Sequence, residues 1–290
     1  MKIYTIISNS HRFLFDQFFQ KSLKRYEPSA ELIAIEQEQI CSSANYYDIG
    51  WKEAMGKKID AYLNACNTND EFFIWSDVDI EFYDKFIDQC VLELGKDDIA
   101  FQEGVGREYC AGFFICRINQ KTKDFFTFLK NNYDRYSCDQ EAINSNIHLI
   151  KAKFLSNKFL NISFQHRQWS GQNIDIPEST IMFHANYTVG LQHKIMLLVQ
   201  VKEKLEYIKK HNINKNNVKH NPNIKITNAF YGLFGDVTEA IMSVNNEFVI
   251  GIDTLRGDPT PGATKYLYCF DKNYKLVHKP IKEGLAIRIT

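Results

Sequence analysis

Asp77 and Asp79 stand one residue apart at the end of Phe72-Phe-Ile-Trp-Ser-Asp-Val-Asp79, where a continuous apolar run stops at two carboxylates. Hard oxygen ligands suit Mg²⁺ or Mn²⁺, and a cation held there can in turn hold a diphosphate. On a straight strand the two side chains would splay to opposite faces. A turn beginning at Ser76 would converge them on one ion. The bare tripeptide also fits a plain polar strand end, so its meaning depends on its context.

Two further stretches supply that context. In Cys110-Ala-Gly-Phe-Phe-Ile-Cys-Arg117 the small residues Ala111 and Gly112 head an apolar strand, where they let a ligand approach the backbone. Downstream, Ser137-Cys-Asp-Gln-Glu-Ala-Ile-Asn144 puts Asp139 and Gln140 at the mouth of a helix. There an acceptor and an amide join exposed N–H groups and a dipole that favour anions. Equally, Asp139 reads as an N-cap and Gly112 as a bulge. In Met182-Phe-His-Ala-Asn-Tyr-Thr-Val-Gly-Leu-Gln-His-Lys194, His184 follows apolar residues. It reads either as a satisfied core histidine or as an imidazole completing an oxygen-rich Mn²⁺ site. Lys194 could neutralise a leaving phosphate.

Taken in order, these pieces resemble the nucleotide-diphospho-sugar transferase family of GT-A glycosyltransferases. The matching residues are Trp51 through Lys58, Ser76-Asp77-Val78-Asp79, Ala111-Gly112-Phe113-Phe114, Asp139-Gln140 with Asn144, and His184-Ala185-Asn186-Tyr187 with Gly190 and Lys194. They span most of residues 1 to 200. The resemblance implies a Rossmann-like GT-A domain that takes a nucleotide sugar, a UDP-sugar by expectation, with Mn²⁺ or Mg²⁺ as cofactor. It implies that Asp77, Asp79 and His184 bind the metal and that Lys58 and Lys194 face the donor diphosphate or sugar. Lys57 is an equally placed rival to Lys58. The resemblance further implies that Asp139 and Gln140 border the reacting sugar as the catalytic pair, and that transfer retains anomeric configuration. Along the donor it sets Ile6 and Ser8 at the end of the first strand, then Trp51, Ser76 and Val78. Ala111, Gly112, Asn186 and Gly190 complete that expected surface. The acceptor would be a hydroxyl of a glycan or glycoconjugate. Two rivals come from other classes. A phosphatase of the haloacid dehalogenase type would use Asp77 as nucleophile and Asp79 as general acid. A non-enzymatic glycan-binding or assembly protein would act through the C-terminal segment.

The elements that must position these residues follow an alternating pattern. A strand at residues 2 to 8 leads to a helical stretch from Phe13 to Tyr26, in which Phe15, Phe18 and Phe19 recur at helical spacing as core residues. A short strand at Leu32 to Ile35 and a helix from Trp51 to Leu63 precede the Asp-x-Asp strand. Strand, helix and strand signals continue at Ile99 to Gln102, Phe113 to Arg117, Lys123 to Tyr133 and Gln140 to Asn146. Such alternation predicts an α/β domain with a mostly parallel sheet. Ligands in such sheets bind beyond the carboxyl ends of the strands.

From His193 to Lys210 the pattern is a helix with one apolar side and a basic end, which closes a domain or touches a membrane surface. His211 to Pro222 is rich in Asn, Lys and His and reads as a linker. We therefore expect one domain at 1–215 and a small β-sandwich-like accessory module at 216–290. The module's short alternating runs are Ile224 to Ile226, Glu247 to Ile250, Lys265 to Phe270 and Leu285 to Ile289. Turn signals at Asn245-Asn246, Gly257 to Pro259 and Asp271 to Asn273 separate them.

Composition narrows the classes. With 290 residues and 44% hydrophobic content the chain can bury a large core. Lys plus Arg and Asp plus Glu are 35 each, so no overall field points to nucleic acid or an anionic membrane. The opening Met-Lys-Ile-Tyr-Thr-Ile-Ile-Ser reads as a strand and lacks a signal-peptide pattern, and no apolar stretch is long enough to span a bilayer. The seven cysteines are an odd number without Cys-x-x-Cys pairs. Cys66, Cys90, Cys110 and Cys116 in apolar surroundings read as reduced thiols of a cytoplasmic protein.

Overall fold

The computed structural model describes residues 1–41, 48–162 and 168–213 except 170, 172, 173, 175 and 189, together with six short strands between 228 and 288. The chain divides into two compact units, Met1–Gln168 with Asp175–Lys194, and Trp169–Ile174 with Ile195–Thr290.

The first unit begins with β1 (Lys2–Ile7), α1 (Arg12–Leu14), a π-helical turn (Phe15–Phe19) and α2 (Gln20–Tyr26). The expected helix from Phe13 to Tyr26 is thus widened in its middle, and Phe15, Phe18 and Phe19 are all buried there. Then come β2 (Glu31–Glu36), α3 (Trp51–Cys66), β3 (Phe72–Ser76), β4 (Ile80–Phe82) and α4 (Ile87–Leu94). Gly50 precedes α3 at φ +83, where a Cβ would meet Ile40 O at 2.4 Å, so this tight entry requires glycine. The path continues through β5 (Ile99–Glu103), β6 (Tyr109–Arg117), α5 (Gln120–Asn131), α6 (Asp139–Asn146), β7 (Ala152–Phe154), β8 (Phe159–Asn161) and β9 (Met182–His184). The last helix, α7 (Leu191–Ile213), enters the second unit.

Six strands form one sheet in the order β2-β1-β3-β6-β5-β7. β1, β2 and β3 are mutually parallel, β7 is parallel to β5, and only β6 is antiparallel to its neighbours. This is the expected α/β unit with a mostly parallel sheet. Alternation along β6 sends successive phenylalanines to opposite faces. Phe114 packs with Tyr62, Phe73, Phe101 and Phe126 beneath α3 and α5. Phe113 lies against Phe82, Phe86 and Phe159. Each such side chain, fully buried, contributes about 1.5–3 kcal/mol by removal from water. A second sheet, β4-β9-β8, was not visible in the sequence pattern because each strand has three residues.

Beyond Ile213, residues 214–227 lie outside the described residues, and with them the expected strand at Ile224 to Ile226. The first three residues of the expected linker, 211–213, are helical and belong to α7. The turn signals at 245–246, 257–259 and 271–273 also lie outside the described residues. The strands β10 (Asn228–Tyr231), β11 (Gly235–Asp236), β12 (Glu247–Val249), β13 (Tyr266–Phe270), β14 (Ile281–Lys282) and β15 (Ala286–Arg288) pair antiparallel. Among the described residues no helix is long and apolar enough to cross a membrane.

Candidate functional site

β3 ends at Ser76, and the chain bends at Val78-Asp79 before β4 begins. That bend converges the two carboxylates that a straight strand would splay. β4 pairs antiparallel with β9 in a register that sets Ile80 against His184, and Ala185 N–H donates to Asp79 O at 2.8 Å. Ligand atoms of Asp77, Asp79 and His184 consequently all lie within 4.8 Å of one another. Two carboxylate oxygens and an imidazole nitrogen form a donor set that fits Mn²⁺ well and Mg²⁺ less so.

β6 makes room for this cluster. Its ladder with β5 shifts register between Phe101 and Gln102, so that Phe101 faces Phe114 while Gln102 faces Cys110. Ala111, Gly112 and Phe113 are looped out of that ladder, as a bulge does beside many sites. Gly112 O accepts from Asp77 N–H at 2.7 Å. A Cβ at Gly112 would lie 2.2 Å from His184 Cε1 and 3.0 Å from Asp77 Oδ2. Close approach, more than a turn, is what this glycine supplies.

Two lysines serve the carboxylates. Lys58 Nζ lies 2.8 Å from Asp77 Oδ1 and 3.2 Å from Asp139 Oδ2. Helical phase buries Lys58 and leaves Lys57 exposed, which decides between the two as the residue that reaches the cluster. Burial works against the Lys58 charge, but Asp139 and then Asp77 outweigh it and raise its pKa. Lys194 donates to Asp79 Oδ2 at 2.5 Å and to Ala185 O at 3.3 Å. Burial pushes Asp77 up, with Lys58 opposing. For Asp79 burial is overcome by Lys194 and then His184, which hold it well below the usual carboxylate range. His184, 3.2 Å from Asp79 through Nε2, is pushed up to about 10 because the Asp79 charge outweighs burial.

Asp139 is the first residue of α6, and its N-cap is Cys138, whose sulfur accepts from Glu141 N–H at 3.4 Å. The N-cap reading of Asp139 is therefore corrected. Its carboxylate, 3% exposed as a residue, points to Lys58 and accepts from Tyr62 Oη at 2.9 Å. Gln140 accepts weakly from Ala111 N–H at 3.4 Å and donates to Glu108 Oε2 at 3.2 Å. Asn144 clasps the edge of β6 by accepting from Tyr109 N–H and donating to Tyr109 O, each at 2.8 Å.

A cavity of about 520 Å³ opens over the cluster. Ile6, Ser8, Trp51, Lys58, Asp77, Val78, Asp79, Ala111 and Gly112 are among the residues that line it. Asp139, Gln140, His184, Asn186, Gly190 and Lys194 complete the set. Ser76 is outside the lining: it is fully buried and donates to Asp77 O. Sequence reasoning missed Tyr62, His11 and Gln102. Tyr62 stands four residues after Lys58 on the same helical face, a signal that was available. His11 lines the cavity, bonded through Nδ1 to Ser10 Oγ at 2.9 Å, and burial followed by the Lys194 charge pushes it down to about 4. Tyr187, at φ +54, accepts from Val105 N–H at 3.1 Å and so ties the cavity rim to the loop after β5.

A family model described as nucleotide-diphospho-sugar transferase matches residues 13–198. No curated protein matches the chain. Among solved structures, the galactosyltransferase LgtC in complex with donor and acceptor sugar analogs superposes with a TM-score of 0.44 at 12% identity, over 63% of this chain and 86% of its own. For the glycosyltransferase GlyE of Streptococcus pneumoniae TIGR4 the values are 0.46 and 13%, over 71% of this chain and 63% of GlyE. This chain thus spans less than two thirds of GlyE. At such scores these two likenesses add nothing to the family match.

The Gly112 geometry yields a test. Gly112→Ala should displace the His184 ring and weaken Mn²⁺ binding about tenfold or more, while far-UV circular dichroism stays unchanged. Calorimetric titration with Mn²⁺ measures it. Unaltered affinity in the folded variant would show that the imidazole takes no part in holding the ion.

Proposed function

The chain belongs to the nucleotide-diphospho-sugar transferase family, and from that premise we propose that it is a metal-dependent glycosyltransferase, transferring a hexosyl or pentosyl group from a UDP-sugar to a hydroxyl of a glycan or glycoconjugate. The observation that carries the metal dependence is the convergence of Asp77, Asp79 and His184 at the cavity. Asp77, Asp79 and His184 would hold Mn²⁺, or Mg²⁺, which supplies Lewis-acid neutralisation of the diphosphate as its bond to the sugar breaks. Lys194 sits at the cavity with its side chain 16% exposed, and its ammonium offsets charge on the departing nucleotide. Lys58, tied to both Asp77 and Asp139, transmits the position of one to the other.

We also propose that transfer retains configuration by a front-face route. Asp139 is committed to Lys58 and Tyr62, so it is poorly placed to attack an anomeric carbon. Gln140 lines the cavity and offers a neutral amide beside the reacting sugar. Buried thiols at Cys41, Cys66, Cys90, Cys110, Cys116 and Cys138 support a reducing compartment, the cytoplasm. The antiparallel pairing of β10 to β15 supports an accessory β-module at 216–290, with catalysis in 1–215.

Incubation with a panel of UDP- and GDP-sugars tests the activity. Donor hydrolysis should need a divalent cation, and Asp77→Asn, Asp79→Asn and His184→Ala should each lower it more than roughly 100-fold. Full turnover in EDTA after dialysis would refute the metal reading. Phosphate release from simple esters, with sugar nucleotides ignored, would favour the phosphatase instead.

Product NMR tests the stereochemistry. It should find a retained anomer, no glycosyl-enzyme adduct, and transfer slowed on the order of 10²-fold in Gln140→Ala with donor binding kept. An inverted product with strict dependence on Asp139 would make that residue a general base.

A fragment ending near Asn217 should fold and keep donor hydrolysis, read by circular dichroism and nucleotide release. An insoluble or inactive fragment would show that the C-terminal strands complete the catalytic unit.

A further inference from the structure

Gln102 is wholly buried at the register shift between β5 and β6, and it does not line the cavity. Its amide nitrogen donates to Phe159 O at 3.1 Å and Leu160 O at 3.0 Å, both on β8. Those two carbonyls fix which way the amide points, because a flipped amide would set its oxygen against two other oxygens. The Gln102 oxygen is thereby presented to His184 Nδ1 at 2.9 Å. Cys110 Sγ, at 3.8 Å from the same nitrogen, is a weaker and more distant partner. β8 also pairs with β9 in a register that opposes Asn161 to His184, so one short strand both carries the histidine's neighbour and orients its partner.

We infer that Gln102 is a positioning residue which, by accepting from His184 Nδ1–H, assigns Nε2 as the nitrogen that faces Asp77 and Asp79 and holds the metal. An acceptor fixed on one ring nitrogen requires a proton there and leaves the other as ligand. The arrangement also fixes the ring plane, since Gly112 leaves no spare room on the Cε1 side. This inference rests on the reading of His184 as a metal ligand.

The test uses the full chain with metal alone. In wild-type protein labelled with ¹⁵N-histidine and loaded with Zn²⁺, the His184 signals, identified by their loss in His184→Ala, should show the proton on Nδ1 and the metal on Nε2. Gln102→Leu should raise the Mn²⁺ dissociation constant about 10–100-fold, with His184→Ala at least as weak. Electron paramagnetic resonance of free Mn²⁺ reads this, and circular dichroism checks the fold. Metal on Nδ1, or wild-type affinity in folded Gln102→Leu beside a weakened His184→Ala, would overturn the role given to Gln102. Wild-type affinity in His184→Ala would instead overturn the metal-ligand reading beneath it. Should Gln102→Leu fail to fold, the wild-type spectrum decides alone.

Discussion

Three carboxylates, those of Asp77, Asp79 and Asp139, crowd into one largely desolvated space against only two ammonium groups, of Lys58 and Lys194. Removing charge from water costs several kcal/mol per ion, on the order estimated for real proteins, unless partners compensate. The lysines cover two of the three, and Lys58 spans two carboxylates at once. It is Asp79, 3.2 Å away, whose charge outweighs burial and pushes the His184 imidazole up to about 10. A divalent ion held by Asp77, Asp79 and His184 would bring further positive charge to this acidic group and would attract a diphosphate.

This constraint explains why the local fold departs from a plain doubly wound sheet. Ala111 to Phe113 are released from the β5 ladder, and a side chain at Gly112 would collide with His184 beside Asp77. The register shift removes the pairing, and the glycine removes the side chain. The three-residue ladder between β4 and β9 then carries His184 to Asp79 across more than a hundred residues of sequence. Small as they are, these strands set the geometry because their ends, at Asp79 and Ala185, are themselves bonded backbone to backbone.

Much of the site was legible because its chemistry sits at element boundaries. An apolar run halting at Asp77, and small residues opening β6, are visible without knowing the fold. The choice of Lys58 over Lys57 needed only the helical phase of α3, although sequence spacing left it open. Gln102 was illegible for a different reason: it closes an apolar strand as any polar residue might, and its meaning lies in carbonyls and an imidazole 57 to 82 residues away. Ser76 was drawn in by its place beside Asp77, yet strand alternation turns it into the core. Asp139 looked like a cap because caps favour aspartate, but the first helical turn offers the same dipole one residue later, with its side chain free to reach Lys58.

The commitment of Asp139 also bears on what kind of enzyme this arrangement can be. A phosphatase of the Asp-x-Asp type needs its second carboxyl protonated to act as an acid, whereas Lys194 and His184 hold Asp79 ionised. Asp139, the carboxylate a double displacement would use, is tied through Oδ2 to Tyr62 and Lys58 and is almost wholly buried, which supports the front-face route proposed above. Both carboxylates are engaged with a lysine, Asp79 with Lys194 and Asp139 with Lys58. What the protein has arranged around the cavity is fixed charge and fixed dipoles, which act by being in place before the bond breaks. A reaction whose main difficulty is the departure of a multiply charged leaving group is the one such an arrangement serves.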